Sequence, residues 1–264
     1  MSHAAVTTYR GPSGDHNDRA MRAVAELGER MAARLGGDPV VVGTPAPSFG
    51  GSWQDQLAAA GPDLVTMATR LDEVFTHGAM PWSAITRCAV ALATLPVVAA
   101  HHPDAVVLWL DAHGDINVPD DSSTGYLGGM ALSGPLGWWD SGLGDGLSPT
   151  NAVLVGARDL DPGETQHVAA GRITAVPAGD GMLDRLDEAI AGRPVYFHLD
   201  CDLLEPGAVA TDYRVPGGLT LLQLHALCER VATHGVVGVE VGEYEGPADA
   251  SADELLDTLE PLTR

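Results

Sequence analysis

Short apolar, β-branched runs alternate along the chain with stretches whose apolar residues recur every three or four positions, the signatures of buried strands and amphipathic helices. Residues 5–9 form the first run, and 15–35 follow with Met21, Val24, Leu27, Met31 and Leu35 on one helical face, stopping at Gly36-Gly37. The pattern then predicts a strand over 39–42, a Pro/Gly loop over 44–52, a helix over 63–77, a strand over 82–86, and a helix over 88–100 in which Pro96 is placed to kink or break the pattern. The apolar run 105–108 reads as the buried central strand. Beyond it, 118–150 is rich in Gly, Ser and Asp, and a loop of that length in a compact domain usually carries function. Strands over 151–157, 173–177, 195–199 and 236–241, with helices over 182–191, 219–234 (Thr220 as N-cap) and 253–259, complete the series. The alternation predicts an α/β fold: a single three-layer domain over 1–264, with a mostly parallel sheet and helices on both faces. Ligands of such sheets gather outside the carboxyl ends of the strands.

Polar chemistry collects at those ends. Asp111, His113 and Asp115 occupy alternate positions where the central strand finishes, so they share a face. A polar strand end feeding a solvated loop accounts for any one of them, but three in register make a poor core and a good divalent-metal site. Asp200 and Asp202 repeat the pattern after 195–199, with Cys201 pointing the other way into packing. His198, odd within an apolar strand, shares the face of Asp200 and is placed to support it from behind. Four carboxylates brought this close repel one another unless cations sit between them. A pair of bridged divalent ions is the simplest remedy, and such a pair also supplies a bridging hydroxide at neutral pH.

Composition narrows the partners. The formal charge of −22, from 14 basic and 36 acidic residues, argues against nucleic acid and anionic membranes, which require clustered Lys and Arg. There is no basic leader and no long apolar run, and Cys88, Cys201 and Cys228 are odd in number and far apart, which together predict a cytoplasmic protein without disulfides.

Asp111-Ala-His113-Gly-Asp115-Ile-Asn117 followed by Asp200-Cys-Asp202 resembles the paired metal motifs of the ureohydrolase family of arginases, agmatinases and formimidoylglutamases, and the likeness runs in order over 86–247. It implies an arginase-like fold, two divalent ions (manganese in the family) and hydrolysis of a small guanidino substrate by a metal-bridging hydroxide. By this likeness Asp111 and Asp200 bridge both ions, His113 and Asp202 complete one site, and Asp115 belongs to the other while passing a proton to the departing amine. The segment 158–164 is similar to the one with which arginases, rather than agmatinases, bind an α-amino group, which points to Asp161 and Glu164. Asn117 and Thr124 fall where arginases hold the α-carboxylate, and Glu243 where the family pairs a glutamate with the guanidinium.

Two departures bear on the substrate. Cys88 stands where the family's first metal motif has a histidine, and Ile85-Thr86-Arg87 replaces the flanking Gly-Gly-Asp. Cys88 could ligate the first ion as a thiolate, which favours zinc or iron over manganese, could leave that ion short of a ligand, or could be a buried helix residue. Gly128 stands where arginases place a proton-shuttling histidine, and Tyr126 where they have a smaller polar residue, so the pocket is reshaped. General acid–base help is worth roughly 10² to 10⁴ in rate, and a hydroxylated guanidine, less basic than that of arginine, tolerates its loss best. Cysteine for the first histidine and Gly-Gly at the shuttle position also characterise the family members that hydrolyse Nω-hydroxy-L-arginine in D-cycloserine biosynthesis. The expected reaction is therefore Nω-hydroxy-L-arginine to L-ornithine and hydroxyurea. Arginine, agmatine or another guanidine as substrate, and a metal-binding relative with impaired catalysis, are the alternatives. The chain ends soon after its last helix, without the tail of trimeric arginases, which is compatible with a monomer.

Overall fold

The computed structural model describes residues 4–264. In chain order the main elements are β1 (Ala4–Tyr9), α1 (Arg19–Leu35), β2 (Val40–Val42), α2 (Trp53–Thr76), β3 (Met80–Ala84), α3 (Ala91–His101) and β4 (Val106–Leu110). After the loop over 118–150 come β5 (Ala152–Val155), α4 (Pro162–Ala169), β6 (Thr174–Val176), α5 (Met182–Ile190), β7 (Val195–Asp200) and a short β8 (Val209–Ala210). The chain closes with α6 (Leu221–Ala232), β9 (Val236–Gly242), β10 (Gly246–Pro247), which pairs antiparallel with β8, and α7 (Ala252–Leu259).

Eight strands form one sheet in the order β2-β1-β3-β9-β7-β4-β5-β6, and every pairing in it is parallel. Both faces are buried, which is why the strands read as continuous apolar runs instead of alternating ones. Val106, Leu108 and Leu110 of β4 pack with α1, α5, α6 and α7 on one face, whereas Val107 and Trp109 pack on the other with α2, α3 and the loop over 118–150. Three layers result, as the alternation predicts. Helix α1 lies close against β1, and a Cβ on Gly28 would come within 1.9 Å of Thr8 Oγ1.

Several boundaries differ from expectation. Helix α2 begins ten residues before 63, because the Ser52 side chain and Asp55 close a capping box and Pro62 sits on the exposed face, where the hydrogen bond it lacks costs least. Pro96 does not interrupt α3. Helix α1 starts at Arg19, after the polar stretch 15–18, and the strand expected over 151–157 is trimmed to four residues. Helix α4 was absent from the pattern, since Asp161-Pro162 reads equally as a turn.

Candidate active site

Five neighbouring strands, β3, β9, β7, β4 and β5, point their carboxyl ends at one cavity of about 260 Å³. Cys88 follows β3, Asp111 follows β4, Asp200 ends β7 with Asp202 one short turn later, and Glu243 follows β9. Cys88, His113, Asp115, Asn117, Thr124, Asp161, Glu164, Asp200 and Glu243 all line the cavity, while Asp111 and Asp202 form the layer beneath.

On one side of the floor, His113 Nδ1 lies 3.2 Å from Asp111 Oδ1 and 3.1 Å from Asp202 Oδ2. Burial opposes the imidazolium, but the two carboxylates outweigh it and hold His113 protonated far above its ordinary range. Asp111 is also burdened by burial, yet the His113 contacts bring its carboxyl below the usual value. Trp109 Nε1 donates to Asp111 Oδ2 at 3.1 Å, and the Ala112 N–H donates to Asp202 Oδ1 at 3.1 Å.

On the other side, Cys88 Sγ lies 3.2 Å from Asp200 Oδ2 and 3.4 Å from His198 Nε2. The second ring nitrogen of His198 meets Glu240 Oε1 at 2.9 Å, and the imidazole stacks flat on Trp109 at a centroid distance of 3.6 Å. Burial and then Asp200 push the Cys88 thiol well up. Burial and then Asp111 do the same to Asp115, and burial with Asp202 and Asp111 to Asp200. Asp202 rises to about 6, through burial and then Asp111.

Three groups of donors, Cys88–Asp111–Asp115, Cys88–Asp200–Glu243 and Asp111–His113–Asp202, each bring one ligand atom per residue within 4.8 Å of the others. Oxygen, imidazole and thiol donors in this density suit borderline divalent ions. The raised carboxyl values mark where positive charge is wanting, so the residues present fit a metal.

Two of these residues are backbone outliers. Asp115 (φ 53°) and Glu243 (φ 60°) are left-handed, as is only one other non-glycine residue among those described, Ala191. Such conformations cost about 1–3 kcal/mol each and persist where the surroundings impose them. Here the Leu132 and Ser133 N–H groups hold the Asp115 carbonyl, and the Thr86 carbonyl accepts from the Glu243 N–H.

On the cavity wall, Asn117 Nδ2 donates to Asp161 Oδ2 at 2.9 Å, and Asn117 Oδ1 is buried without a partner among the described residues. The carboxylate of Glu164 accepts from the Ile116 N–H at 3.0 Å and from the Asp161 N–H at 2.9 Å, closing the first turn of α4. Burial pushes it to about 7 against those two bonds. Its oxygens thus hold Asp161 and Ile116 in place. Thr124 is exposed at the rim.

Sequence reasoning missed three parts of the site. Glu240 backs His198 from the next strand. Arg87 is fully buried and meets Glu243, whose other oxygen takes the Cys88 N–H at 3.2 Å. Tyr126 lies across Gly128, where a Cβ would come within 2.4 Å of the ring and 2.8 Å of its hydroxyl. The one charged residue within the mostly apolar stretch 84–93 was the available signal for Arg87. Tyr126 and Gly128 were each noted, but not that one fills the room left by the other.

Comparison with known proteins places the chain in a family. A sequence model of the arginase family matches residues 55–257. The N(omega)-hydroxy-L-arginine amidinohydrolase of Streptomyces lavendulae is 40% identical over 252 residues, covering 92% of each chain. An arginase of Schizosaccharomyces pombe is 37% identical over 65% of this chain and 58% of its own. The crystal structure of arginase from Bacillus subtilis superposes with a TM-score of 0.84 over 99% of this chain and 98% of that one, at 21% identity, a likeness of fold. Among the described residues, no helix is long and apolar enough to cross a membrane.

Proposed function

The chain belongs to the arginase family and is a hydrolase, and from that premise we propose that it is a dinuclear-metal hydrolase of a guanidino amino acid, converting Nω-hydroxy-L-arginine to L-ornithine and hydroxyurea. The observation that carries the reading is the convergence of Cys88, Asp111, His113, Asp115, Asp200 and Asp202 on one cavity whose wall holds Asn117 and Asp161. These six would hold two divalent ions, manganese by family likeness, within a single ureohydrolase domain over 1–264. When bound, such ions supply Lewis acidity and a water acidified enough to act as nucleophile near neutral pH.

The chain's own groups do the rest. Asp161 accepts from the α-ammonium group of the substrate, and Asn117 Nδ2 and Thr124 reach its carboxylate. Glu164 fixes this wall from behind through the Asp161 and Ile116 N–H groups. Glu243 orients the guanidine head. Water adds to the guanidine carbon, the bond to the ornithine Nδ breaks, and Asp115 delivers a proton to that nitrogen. Asp115 lies on the cavity among the other acidic groups, placed to take that proton from the attacking water and hand it on. Substrate choice is supported by the likeness to the Streptomyces lavendulae enzyme and by Tyr126 standing over Gly128, which leaves no side chain at the shuttle position. A cytoplasmic setting suits Cys88, Cys201 and Cys228, all buried free thiols.

Release assays on metal-reconstituted protein test the assignment. Hydroxyurea from Nω-hydroxy-L-arginine should outpace urea from arginine or agmatine. Agmatine turned over faster than either amino acid would overturn it.

A further inference from the structure

The carboxylate expected to receive a substrate guanidinium already holds one from the chain itself. Arg87 is fully buried, with Nη1 on Glu243, Nη2 2.8 Å from Glu245 Oε1 and 3.4 Å from the Asn17 carbonyl, and Nε 3.3 Å from Asp15 Oδ1. Arg19 closes the other side of Glu245 with its Nε at 2.6 Å. Glu243 therefore reaches the cavity with one oxygen on a guanidinium and the other on the Cys88 N–H. Each oxygen keeps a lone pair for a further donor, but the charge that would attract a cation is already drawn toward Arg87, so Glu243 holds an incoming guanidinium less strongly than a carboxylate without such a partner. A second guanidinium beside the first would also meet like-charge repulsion from Arg87.

We propose that Arg87 is a specificity-determining residue: by occupying Glu243 it turns the head-group end of the cavity from a guanidinium clamp into a site for an uncharged, guanidine-like group. The inference rests on the proposed hydrolase reading and sharpens its substrate class. An N-hydroxyguanidine, which gives up its proton more readily than the guanidinium of arginine, enters such a site as the neutral species, with its remaining N–H and O–H groups free to donate to Glu243. Were position 87 acidic, Glu243 would stand unpaired and a fully charged guanidinium would be the better guest.

Competitive inhibition of Nω-hydroxy-L-arginine turnover by two amino acids of nearly the same shape reads this directly. L-arginine carries the charged head and L-citrulline an uncharged ureido head. The unaltered, metal-loaded protein should bind citrulline at least tenfold more tightly than arginine, and a preference for arginine would overturn the proposal without any variant being made. In Arg87→Gln the preference should shift toward arginine by at least tenfold, whereas Arg87→Lys, which keeps the charge, should retain most of the original ratio. A purely structural Arg87 would weaken both inhibitors alike and leave the ratio unmoved, which also overturns the proposal. If the metal-loaded protein turns over no guanidine and binds neither amino acid, the hydrolase reading itself fails; turnover with an unshifted ratio sinks only the assignment of Arg87.

Discussion

On the β4 side of the floor, Asp111 and Asp202 share the imidazole of His113; on the β3 side, Asp200 and Glu243 face a thiol and, behind it, Arg87. The first side balances two carboxylates with a proton of its own. The second has a neutral donor at its centre and keeps its positive charge behind Glu243, out of reach of Asp200. One strand-end motif thus carries its own counter-charge, while the other depends on what comes in from solution. The softer donor also sits on the dependent side, so the two positions should differ in metal affinity and in metal preference.

The largest effect should come from Asp115, which lies against both sides. Asp115→Asn keeps the shape but cannot carry the proton, and turnover should fall by roughly 10² to 10⁴ with the melting temperature little changed; unaltered turnover would favour a relative without catalysis. Next, His198→Asn removes the ring that braces Cys88 and leaves His113 untouched. Metal titration should show one of two binding steps weakened by about 10- to 100-fold, and equal weakening of both steps would erase the distinction between the sides.

The smallest effect is on the metal-free protein. Asp202 and Glu243 are raised to about 6 and about 7, chiefly by burial, and Asp115 and Asp200 rise in the same direction. A carboxyl that binds its proton more tightly when folded stabilises below its unfolded value near 4 and loses that contribution as pH climbs through the folded value. His113, raised as well, begins to lose its share above about 6.5. Metal-free protein should therefore lose stability steadily as pH rises from 5 to 8, and a divalent ion should reverse the trend, because ligands bind it deprotonated. Thermal denaturation across that range, with and without manganese, checks both signs.

The sheet and the acidic floor were legible because each signal is local. A buried parallel strand is an unbroken apolar run, and its carboxyl end announces itself by the polar residues that follow, as at Asp111 and Asp200. What was not legible depends on partners brought from far along the chain. Glu240 lies 42 residues from His198 and Glu243 lies 156 from Arg87, so no pattern within either segment pairs them. Helix α2 shows a different failure: Gly61-Pro62 reads as a stop, although Ser52 and Asp55 three residues apart give a start signal that overrides it.

The overlap of Tyr126 with the space above Gly128 also constrains how such a protein can change by descent. A histidine introduced at 128 meets the ring and hydroxyl of Tyr126, so the phenol must swing aside to admit it. Passage between an enzyme with a histidine at this point and this one therefore couples the two positions. Tyr126 and Gly128 should accordingly be exchanged together, each setting what the other position can hold.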